Sequence, residues 1–327
     1  MTRRRSILVF ALACLASAPG LAQMNVKKLA EGVWGSTTPD GANVGWFVDG
    51  NEVVAVDAGG SPETARQILA KIRETTGKPV RFLVVTHAHG DHAGGAETFA
   101  AAGADVICAE KAATQLLAAM QAVQDQDKQA PPPAKKKAAP GKRGPAAQPA
   151  PKAPRKPEVL TVADRLRLLG GARQSEIYYL GPAHTDGDLV VVLPQEKILF
   201  SGDIALNGVI PFMRSRGLDP RSWQQILTQM AGLPLEQMVP GHGPIGSRNG
   251  IAETLDYVRR ADEIARRLAE ARVPDDQLEQ KLRESENQVG NVTNSPDHLA
   301  NMKQLYLLEK VRLEKAKVTP APERKPG

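Results

Sequence analysis

The sequence predicts an α/β layered protein, and two observations lead to this prediction. Before residue 110, short β-branched apolar runs alternate with segments of helical periodicity in the order β-α-β-α-β, which is typical of a sheet covered by helices. After residue 158, short strands separated by Gly, Pro, Asp or Glu turns indicate an antiparallel meander in a second sheet. The 327 residues, 42% of them apolar, are enough for one large or two small domains.

The N-terminal residues 1–22 have the three regions of a secretory signal peptide. Arginines at 3–5 precede the apolar run 7–16, and small residues continue to Ala22. The run is shorter than the roughly 20 residues that a membrane-spanning helix needs. We therefore expect cleavage near Ala22 and a periplasmic or secreted protein; the alternatives are an N-terminal membrane anchor and lipid attachment at Cys14.

The positive charge of the chain is concentrated in two segments. The formal net charge is +6, but three arginines lie at 3–5, and residues 121–157 carry nine Lys and Arg against Asp125 and Asp127. The rest of the chain is therefore mildly acidic, which argues against a nucleic-acid partner. Without the signal peptide Cys108 is the one remaining cysteine, so no intramolecular disulfide can form.

The first sheet and its helices are predicted from local patterns. Ser61 is a suitable N-cap, Pro62 fits the first helical position, and Gly77 is a stop signal. Helices are predicted at 61–76, 96–102 and 111–124. Strands are predicted at 33–34, 44–48, 53–57, 80–85 and 105–109.

Residues 126–157 consist largely of Pro, Ala and Lys, with hardly any apolar side chain larger than alanine. This composition cannot bury enough apolar surface to fold, so we expect a disordered or extended insertion. It is either a tolerated surface insertion or a tether to an anionic envelope surface.

Short strands and three helices are predicted after the insertion. The strands fall at 161–162, 165–169, 177–180, 189–193 and 198–201, and the helices at 220–230, 250–271 and from 294 or 295 to 317. The predicted organisation is a signal peptide at 1–22, two halves of one domain at 23–125 and 158–272 around the insertion at 126–157, and a helical C-terminal extension at 273–327.

The densest chemical signal is T-H-A-H-G-D-H at residues 86–92, directly after the predicted strand 80–85. The heptapeptide holds three of the six histidines of the chain, together with Asp91. Imidazole nitrogens and a carboxylate are zinc ligands, and two such sets are too many for one tetrahedral ion. The pattern therefore predicts a site for two metal ions rather than a polar turn.

Four other polar residues follow short apolar runs at predicted strand ends. Asp57 ends the strand 53–57, His184 lies in G-P-A-H-T-D-G-D, Asp203 follows F-S-G, and His242 lies in V-P-G-H-G. Each motif is common by itself. Their shared position at strand ends makes it improbable that they occur by chance.

These motifs together resemble those of the metallo-β-lactamase superfamily, over roughly residues 33–245 apart from the insertion. The resemblance implies a four-layer αββα sandwich with metals at one edge between the sheets. It also implies that Asp57 supports the histidine loop by hydrogen bonds, and that Asp91 both binds metal and orients the nucleophile. The implied metal ligands are His87, His89 and His184 for one zinc ion, Asp91, His92 and His242 for the other, and Asp203 as the bridge.

The resemblance implies an exported binuclear zinc hydrolase that cleaves an ester, thioester or lactone of a small-molecule substrate with a hydroxide shared by the metals. Lactam-hydrolysing members generally carry Cys or Ser at the position of Asp203, so the chain looks most like exported glyoxalase-II-like hydrolases, including quinoprotein-associated metallohydrolases. Three alternatives stay open. They are a β-lactamase, an iron-dependent persulfide-dioxygenase-like oxidoreductase using His87, His184 and Asp203, and a non-enzymatic envelope-binding protein acting through the basic insertion.

Two features near the predicted site allow two interpretations each. His298 is expected to be a surface histidine in the first turn of the last helix, although it could line the substrate cleft with Asn301 and Tyr306. The loop 207–217 is either an apolar lip of the site or packs under the following helix; its apolar residues are Ile210, Phe212 and Met213.

Overall fold

The computed structural model describes residues 24–129, 157–168, 171, 173–289 and 295–318. Within them lie two β-sheets. The first sheet has its strands in sequence order; they are β1 (Asn25–Ala30), β2 (Val33–Thr37), β3 (Asn43–Asp49), β4 (Glu52–Val56), β5 (Val80–Val84), β6 (Asp105–Ala109) and β7 (Val159–Val162). β1 to β4 pair antiparallel, and β4 to β7 pair parallel.

The second sheet has the order β12-β11-β10-β9-β8. Its strands are β8 (Arg165–Leu168), β9 (Ser175–Tyr179), β10 (Leu189–Leu193), β11 (Ile198–Gly202) and β12 (Gln237–Pro240). β8 to β11 form the predicted antiparallel meander, whereas β12 pairs parallel to β11. The parallel pair brings the ends of β11 and β12, and the residues that follow them, to the same edge.

Eight α-helices lie within the described residues. They are α1 (Pro62–Thr76), α2 (Gly90–Ala93), α3 (Ala96–Ala101), α4 (Ala113–Gln129), α5 (Pro220–Ala231), α6 (Gly250–Glu270), α7 (Asp275–Glu284) and α8 (Pro296–Val318). α1 begins as predicted, because Ser61 Oγ accepts a hydrogen bond from the Thr64 amide, and it ends at Gly77 with φ of 65°. None of these described helices is both long and apolar enough to cross a membrane.

Alternating side chains along the strands divide the protein into four layers. On β4, Ala55 packs toward Ile68 of α1, whereas Val54 faces the second sheet. On β11, Phe200 belongs to the core between the sheets, and Leu199 packs outward with Trp223 of α5. Helices thus cover the outer face of each sheet, and the predicted αββα fold class is confirmed.

The structure corrects three details of the prediction. Thr161 and Val162 were assigned to the second sheet, but they belong to β7, which pairs parallel to β6 and completes the first sheet. The strand β1 was not predicted, because its alternation of polar and apolar residues is weak. α4 continues to Gln129, four residues into the segment 126–157 that we expected to be disordered.

The reason for the β7 error is that a short apolar run does not reveal which edge it joins. The edge of β6 is open, and the chain returns from the insertion to pair with it. Most of the predicted insertion, residues 130–156, and the whole predicted signal peptide, residues 1–22, lie outside the described residues.

The two sheets are in close contact at Gly45 of β3 and Phe200 of β11. A Cβ on Gly45 would lie 2.2 Å from the Phe200 ring, which itself packs on Phe47. Gly45→Ala should therefore lower the free energy of unfolding by about 1–3 kcal/mol through overpacking. Denaturant unfolding measures this change.

The same substitution in a Phe200→Ala background is the control. Phe200→Ala alone should lower the free energy of unfolding by about 3–5 kcal/mol. Because it leaves space for the new methyl group, Gly45→Ala should lower the free energy of unfolding less in this background than in the wild type. An equal cost in both backgrounds would show that the contact between Gly45 and Phe200 does not limit the spacing of the sheets.

Candidate metal centre

Five histidines and two aspartates meet at one edge of the two sheets, in the loops that follow β5, β9, β11 and β12. They form two groups, in each of which the potential ligand atoms lie within 4.8 Å of one another. The first group is His87, His89, His184 and Asp203, and the second is Asp91, His92 and His242. The structure thus brings together all seven residues that the sequence analysis proposed as ligands.

In the first group three ring nitrogens surround one point. His89 Nδ1 lies 3.1 Å from His87 Nε2 and 3.0 Å from His184 Nε2. His87 and His184 are almost completely buried, whereas His89 borders the solvent. This is a tight, partly open cluster of nitrogen ligands.

In the second group two imidazoles and a carboxylate meet. His92 Nε2 lies 3.3 Å from His242 Nε2, and Asp91 Oδ2 lies 3.0 Å from His242 Nε2 and 3.5 Å from His92 Nε2. His92 is buried, and Asp91 and His242 are partly exposed. This group is therefore the more accessible of the two.

Asp203 lies between the two groups and turns one oxygen to each. Its Oδ2 is 3.5 Å from His184 Nε2 and 3.9 Å from His87 Nε2. Its Oδ1 is 3.4 Å from His92 Nε2 and 3.7 Å from His242 Nε2. This Oδ1 is buried and has no hydrogen-bond partner, although buried carboxylate oxygens are normally paired.

The protons of the imidazoles are placed by acceptors on the far side of each ring. His184 Nδ1 donates to the carbonyl oxygen of Phe212 at 2.9 Å, and His242 Nδ1 to the carbonyl oxygen of Gly41 at 3.3 Å. A carbonyl oxygen can only accept, so in the neutral form of each ring the lone pair lies on Nε2.

The other two buried rings are placed in the same way. His92 Nδ1 donates to Asp57 Oδ2 at 2.9 Å. Thr86 Oγ1 donates its own proton to Asp57 Oδ2 at 2.9 Å, so it accepts from His87 Nδ1 at 3.1 Å. The Nε2 atoms of these two rings therefore also point inward, and each carries a lone pair when its ring is neutral.

Inward lone pairs beside two carboxylates repel one another unless a cation lies among them. The chain supplies no Lys or Arg to either group within its described residues. Imidazole nitrogens with carboxylates are the ligand chemistry of zinc and of iron. The residues therefore fit metal ions, and the bare Asp203 oxygen fits a bridging ligand.

The pKa values follow this arrangement. Burial lowers the pKa of His87 well below its usual range and that of His184 to about 4, which keeps both rings neutral. Burial also lowers the pKa of His92, but the nearby carboxylates of Asp203, Asp57 and Asp91 outweigh it and raise the value to about 9. The three carboxylates thus favour a positive charge at this group.

Asp57 organises the loop that carries the histidines. Its Oδ1 accepts from the amide of Thr86 at 2.7 Å, and its Oδ2 accepts from Thr86 Oγ1 and His92 Nδ1. Its backbone has φ of 63°, in the left-handed region where a side chain costs about 1–3 kcal/mol. The strained backbone aims the carboxylate at the loop, which agrees with the supporting role implied for it.

Glycines allow Asp203 and His242 to approach one another. A Cβ on Gly241 would lie 1.9 Å from Asp203 Oδ1. The loop containing His242 is held by Asn43, whose Nδ2 donates to the carbonyl oxygens of Pro240 and Gly243 at 2.9 and 2.8 Å. Larger residues at position 241 would displace the carboxylate from both groups.

A cavity of about 540 Å³ opens onto the centre. Its polar side is formed by His89, Asp91, Asp203 and His242 with Gly90, and its apolar side by Leu206, Val209, Ile210 and Phe212. The loop 207–217 is therefore a lip of the site at Ile210 and Phe212. Met213, which we had grouped with them, is fully buried in the outer core with Trp223.

The expectation for His298 was wrong. Its side chain is 1% exposed, because the first turn of α8 packs against α6, where Tyr257 Oη lies 3.0 Å from His298 Nδ1. It is not a surface residue, and it lines neither group of ligands. Of its predicted neighbours, Asn301 contacts the lip loop and Tyr306 donates to the carbonyl oxygen of Val273.

Several groups that position the ligands were missed. The carbonyl oxygens of Gly41 and Phe212 carry no sequence signal, because every residue has one. Thr86 is adjacent to the histidine loop, and its hydroxyl could have been considered from that position alone. Asn43 lies some 200 residues from the His242 loop that it holds, and nothing in the local sequence connects the two.

Comparison with known proteins places these features in a family context. The family model of the metallo-beta-lactamase superfamily matches residues 37–242. The chain is similar to a solved metallo-beta-lactamase from Pontibacter korlensis, with 25% identity and a TM-score of 0.54, over 72% of this chain and 99% of that one.

Three curated proteins are also similar. A linear primary-alkylsulfatase of Pseudomonas sp. is 23% identical over 69% of this chain and 47% of its own length. The alpha subunit of a 2,4-dinitroanisole O-demethylase of Nocardioides sp. is 26% identical over 64% and 55%. A metallo-beta-lactamase type 2 of Elizabethkingia meningoseptica is 24% identical over 72% and 85%. The chain spans about half the length of the first two relatives.

Asp57→Asn tests whether the supporting contacts matter for metal binding. Three donors converge on the two oxygens of Asp57. If an amide NH₂ group replaces one of these oxygens, it faces the N–H of a donor, and that hydrogen bond is lost. We expect zinc affinity to fall by about 10–100-fold, as measured by competition with a chromophoric chelator. Asp256→Asn on the exposed face of α6 is the matched control; equal affinities in the two variants would contradict the supporting role.

Proposed function

Because the chain belongs to the metallo-β-lactamase superfamily, we propose that it is an exported hydrolase that uses two zinc ions to cleave an ester, a thioester or a lactone. The observation that supports this most directly is the position of Asp203, whose two oxygens face two different groups of ligands. The proposal of export rests on the signal-like residues 1–22.

The two groups assign the ligands of each ion. One ion would be held by His87, His89 and His184, the other by Asp91, His92 and His242, and both by Asp203. Two zinc ions held by these residues would lower the pKa of a bound water molecule and polarise the carbonyl group of the substrate. All ligands are nitrogen or oxygen atoms, which suits the hydrolysis of a carbonyl compound.

Asp91 is the residue that orients the attacking water. It lines the cavity and is partly exposed, so a water molecule can reach it. Burial raises the pKa of Asp91, but the hydrogen bond from His242 and the charges of His92 and His242 bring it well below its usual value. The carboxylate therefore stays ionised at neutral pH and accepts a hydrogen bond from the attacking water. This hydrogen bond directs a lone pair of the water oxygen toward the substrate carbon.

The second ligand group favours a binuclear site over the single iron ion of a persulfide-dioxygenase-like enzyme. His87, His184 and Asp203 alone satisfy a two-histidine, one-carboxylate iron site. Such a site leaves the second group, Asp91, His92 and His242, whose potential ligand atoms also lie within 4.8 Å of one another, without an ion. Two ions account for both groups.

The names of the relatives do not determine the substrate. They are an alkylsulfatase, an O-demethylase and metallo-β-lactamases, which act on different bonds, and all are 23–26% identical to this chain. The proposal of a carbonyl substrate other than a lactam rests on Asp203, since lactam-hydrolysing members generally carry Cys or Ser there.

A substrate panel tests the proposal. Purified zinc-loaded protein is assayed against thioesters, lactones, carboxylic esters, alkyl sulfates, phosphodiesters and lactams under one set of conditions. We expect measurable turnover of thioesters, esters or lactones and slow or absent turnover of lactams. A clear preference for lactams, alkyl sulfates or phosphodiesters would contradict the proposed substrate class.

Asp91→Asn is the control that assigns this turnover to the described site. The amide retains the size of the side chain but removes the charge that orients the water, so the rate should fall by at least about 10²-fold. Asp256→Asn, on the exposed face of α6 and paired with Arg260, should keep the full rate. Turnover that survives Asp91→Asn would place the reaction elsewhere.

A further inference from the structure

The C-terminal helix α8 contacts the lip of the cavity through one buried side chain. Asn301 Oδ1 accepts from the amide of Met213 at 2.9 Å, and Asn301 Nδ2 donates to the carbonyl oxygen of Pro211 at 2.7 Å. The side chain of Asn301 is fully buried. It therefore holds the backbone on both sides of Phe212, from a helix that lies outside the segment 37–242 matched to the family.

Phe212 in turn contacts the metal centre in two ways. Its carbonyl oxygen accepts from His184 Nδ1 at 2.9 Å and so directs His184 Nε2 toward the other ligands. Its ring packs edge-on against His89 and His184, with centroids 5.9 and 6.3 Å apart, and is 41% exposed toward the cavity. One residue thus orients a ligand with its backbone and forms the apolar wall with its side chain.

The amide of Asn301 has a single orientation in this network. Its Nδ2 also donates to Tyr257 Oη at 3.0 Å, and Tyr257 donates its own proton to His298 Nδ1 at 3.0 Å. Burial lowers the pKa of His298, so the ring is neutral and can accept this proton. Arg214 Nη1 donates to Asn301 Oδ1 at 3.2 Å from the other side. Rotation of the amide would place its NH₂ group against the Met213 amide and Arg214, and its oxygen against the Pro211 carbonyl oxygen.

The wall that Phe212 belongs to has no charge of its own. Leu206, Val209 and Ile210 complete it, and no Lys or Arg lines this cavity within the described residues. Arg214 is not among the residues that line the cavity. Its guanidinium stacks on the Phe212 ring, 4.3 Å from the ring centroid, and is paired with Asp297 at 2.9 Å. The wall therefore fits an apolar group of the substrate rather than an anionic one.

From these contacts we propose that Asn301 is a positioning residue through which α8 fixes the lip. It sets the orientation of His184 for metal binding, and it holds the Phe212 ring where the apolar acyl group of an ester or thioester packs. The packing of an acyl group on Phe212 rests on the proposed function, whereas the orientation of His184 does not. Each methylene that packs on the wall should raise kcat/KM by about fourfold, so longer acyl chains should be preferred until the wall is filled.

The variants Asn301→Ala and Phe212→Ala separate the two roles. Metal affinity is measured first, by chelator competition with zinc and without any substrate. Asn301→Ala should weaken it by about tenfold or more, since the carbonyl of Phe212 is no longer held against His184. Phe212→Ala should stay within twofold of the wild type, because it keeps that carbonyl.

The second measurement is the ratio of kcat/KM for hexanoyl and acetyl esters. Both variants should lower this ratio by at least about fivefold. Lys303→Ala on the same helix, which loses an exposed pair with Glu279, is the control and should change neither quantity. If Asn301→Ala does not fold, Asn301→Asp is tested for zinc affinity and for the same kcat/KM ratio. This variant retains the size of the side chain and the acceptor oxygen, but it places a second acceptor against the Pro211 carbonyl oxygen.

A lower melting temperature with unchanged metal affinity and unchanged acyl preference would reduce Asn301 to a purely structural role and overturn the proposal. A wild-type protein that hydrolyses no ester or thioester would instead refute the proposed function. The metal-affinity comparison would still decide whether Asn301 positions His184.

Discussion

The rest of the site depends on one constraint, which is that the imidazole rings of four histidines all turn a nitrogen toward the carboxylate of Asp203. The far nitrogen of each of His87, His92, His184 and His242 is held by an acceptor, so in the neutral form of each ring the near nitrogen faces inward with a lone pair. The protein thereby concentrates negative potential at one point before any ion binds. This arrangement costs folding free energy unless a cation neutralises it, and the binding free energy of the metal can compensate for that cost.

The fold supplies the acceptors from separate layers. Asp57 follows a strand of the first sheet, Gly41 lies in the turn between β2 and β3, and Phe212 lies in the loop between β11 and α5. The close packing of the two sheets around Gly45 and Phe200 keeps these layers in register. Displacement of one sheet would therefore disturb several ligands at once, and metal affinity and stability should be coupled in this protein.

Local chemistry predicted a metal site at the histidine loop 86–92, because ligand residue types are so dense there. The assignment of His184, Asp203 and His242 as ligands came from the family resemblance, since each of their motifs is common by itself. The αββα layering came from the family resemblance, since alternating patterns do not specify how two sheets face each other. The sequence could not predict that Thr161 and Val162 belong to β7 of the first sheet, because a four-residue strand has the same pattern of apolar residues on either sheet. The buried state of His298 and the contacts of Asn301 depend on how α8 packs against α6, and a polar residue in a helix gives no sign of its partner.

The central claim is that the two groups hold two metal ions bridged by Asp203, and X-ray absorption at the zinc edge of the zinc-reconstituted protein tests it most directly. The account predicts two zinc ions per chain, nitrogen and oxygen ligands only, and a zinc–zinc scattering path of about 3.5–4 Å. It also predicts that this path disappears in Asp203→Asn while at least one ion remains bound. A wild-type protein that holds a single ion, or two ions with no zinc–zinc path, would contradict it.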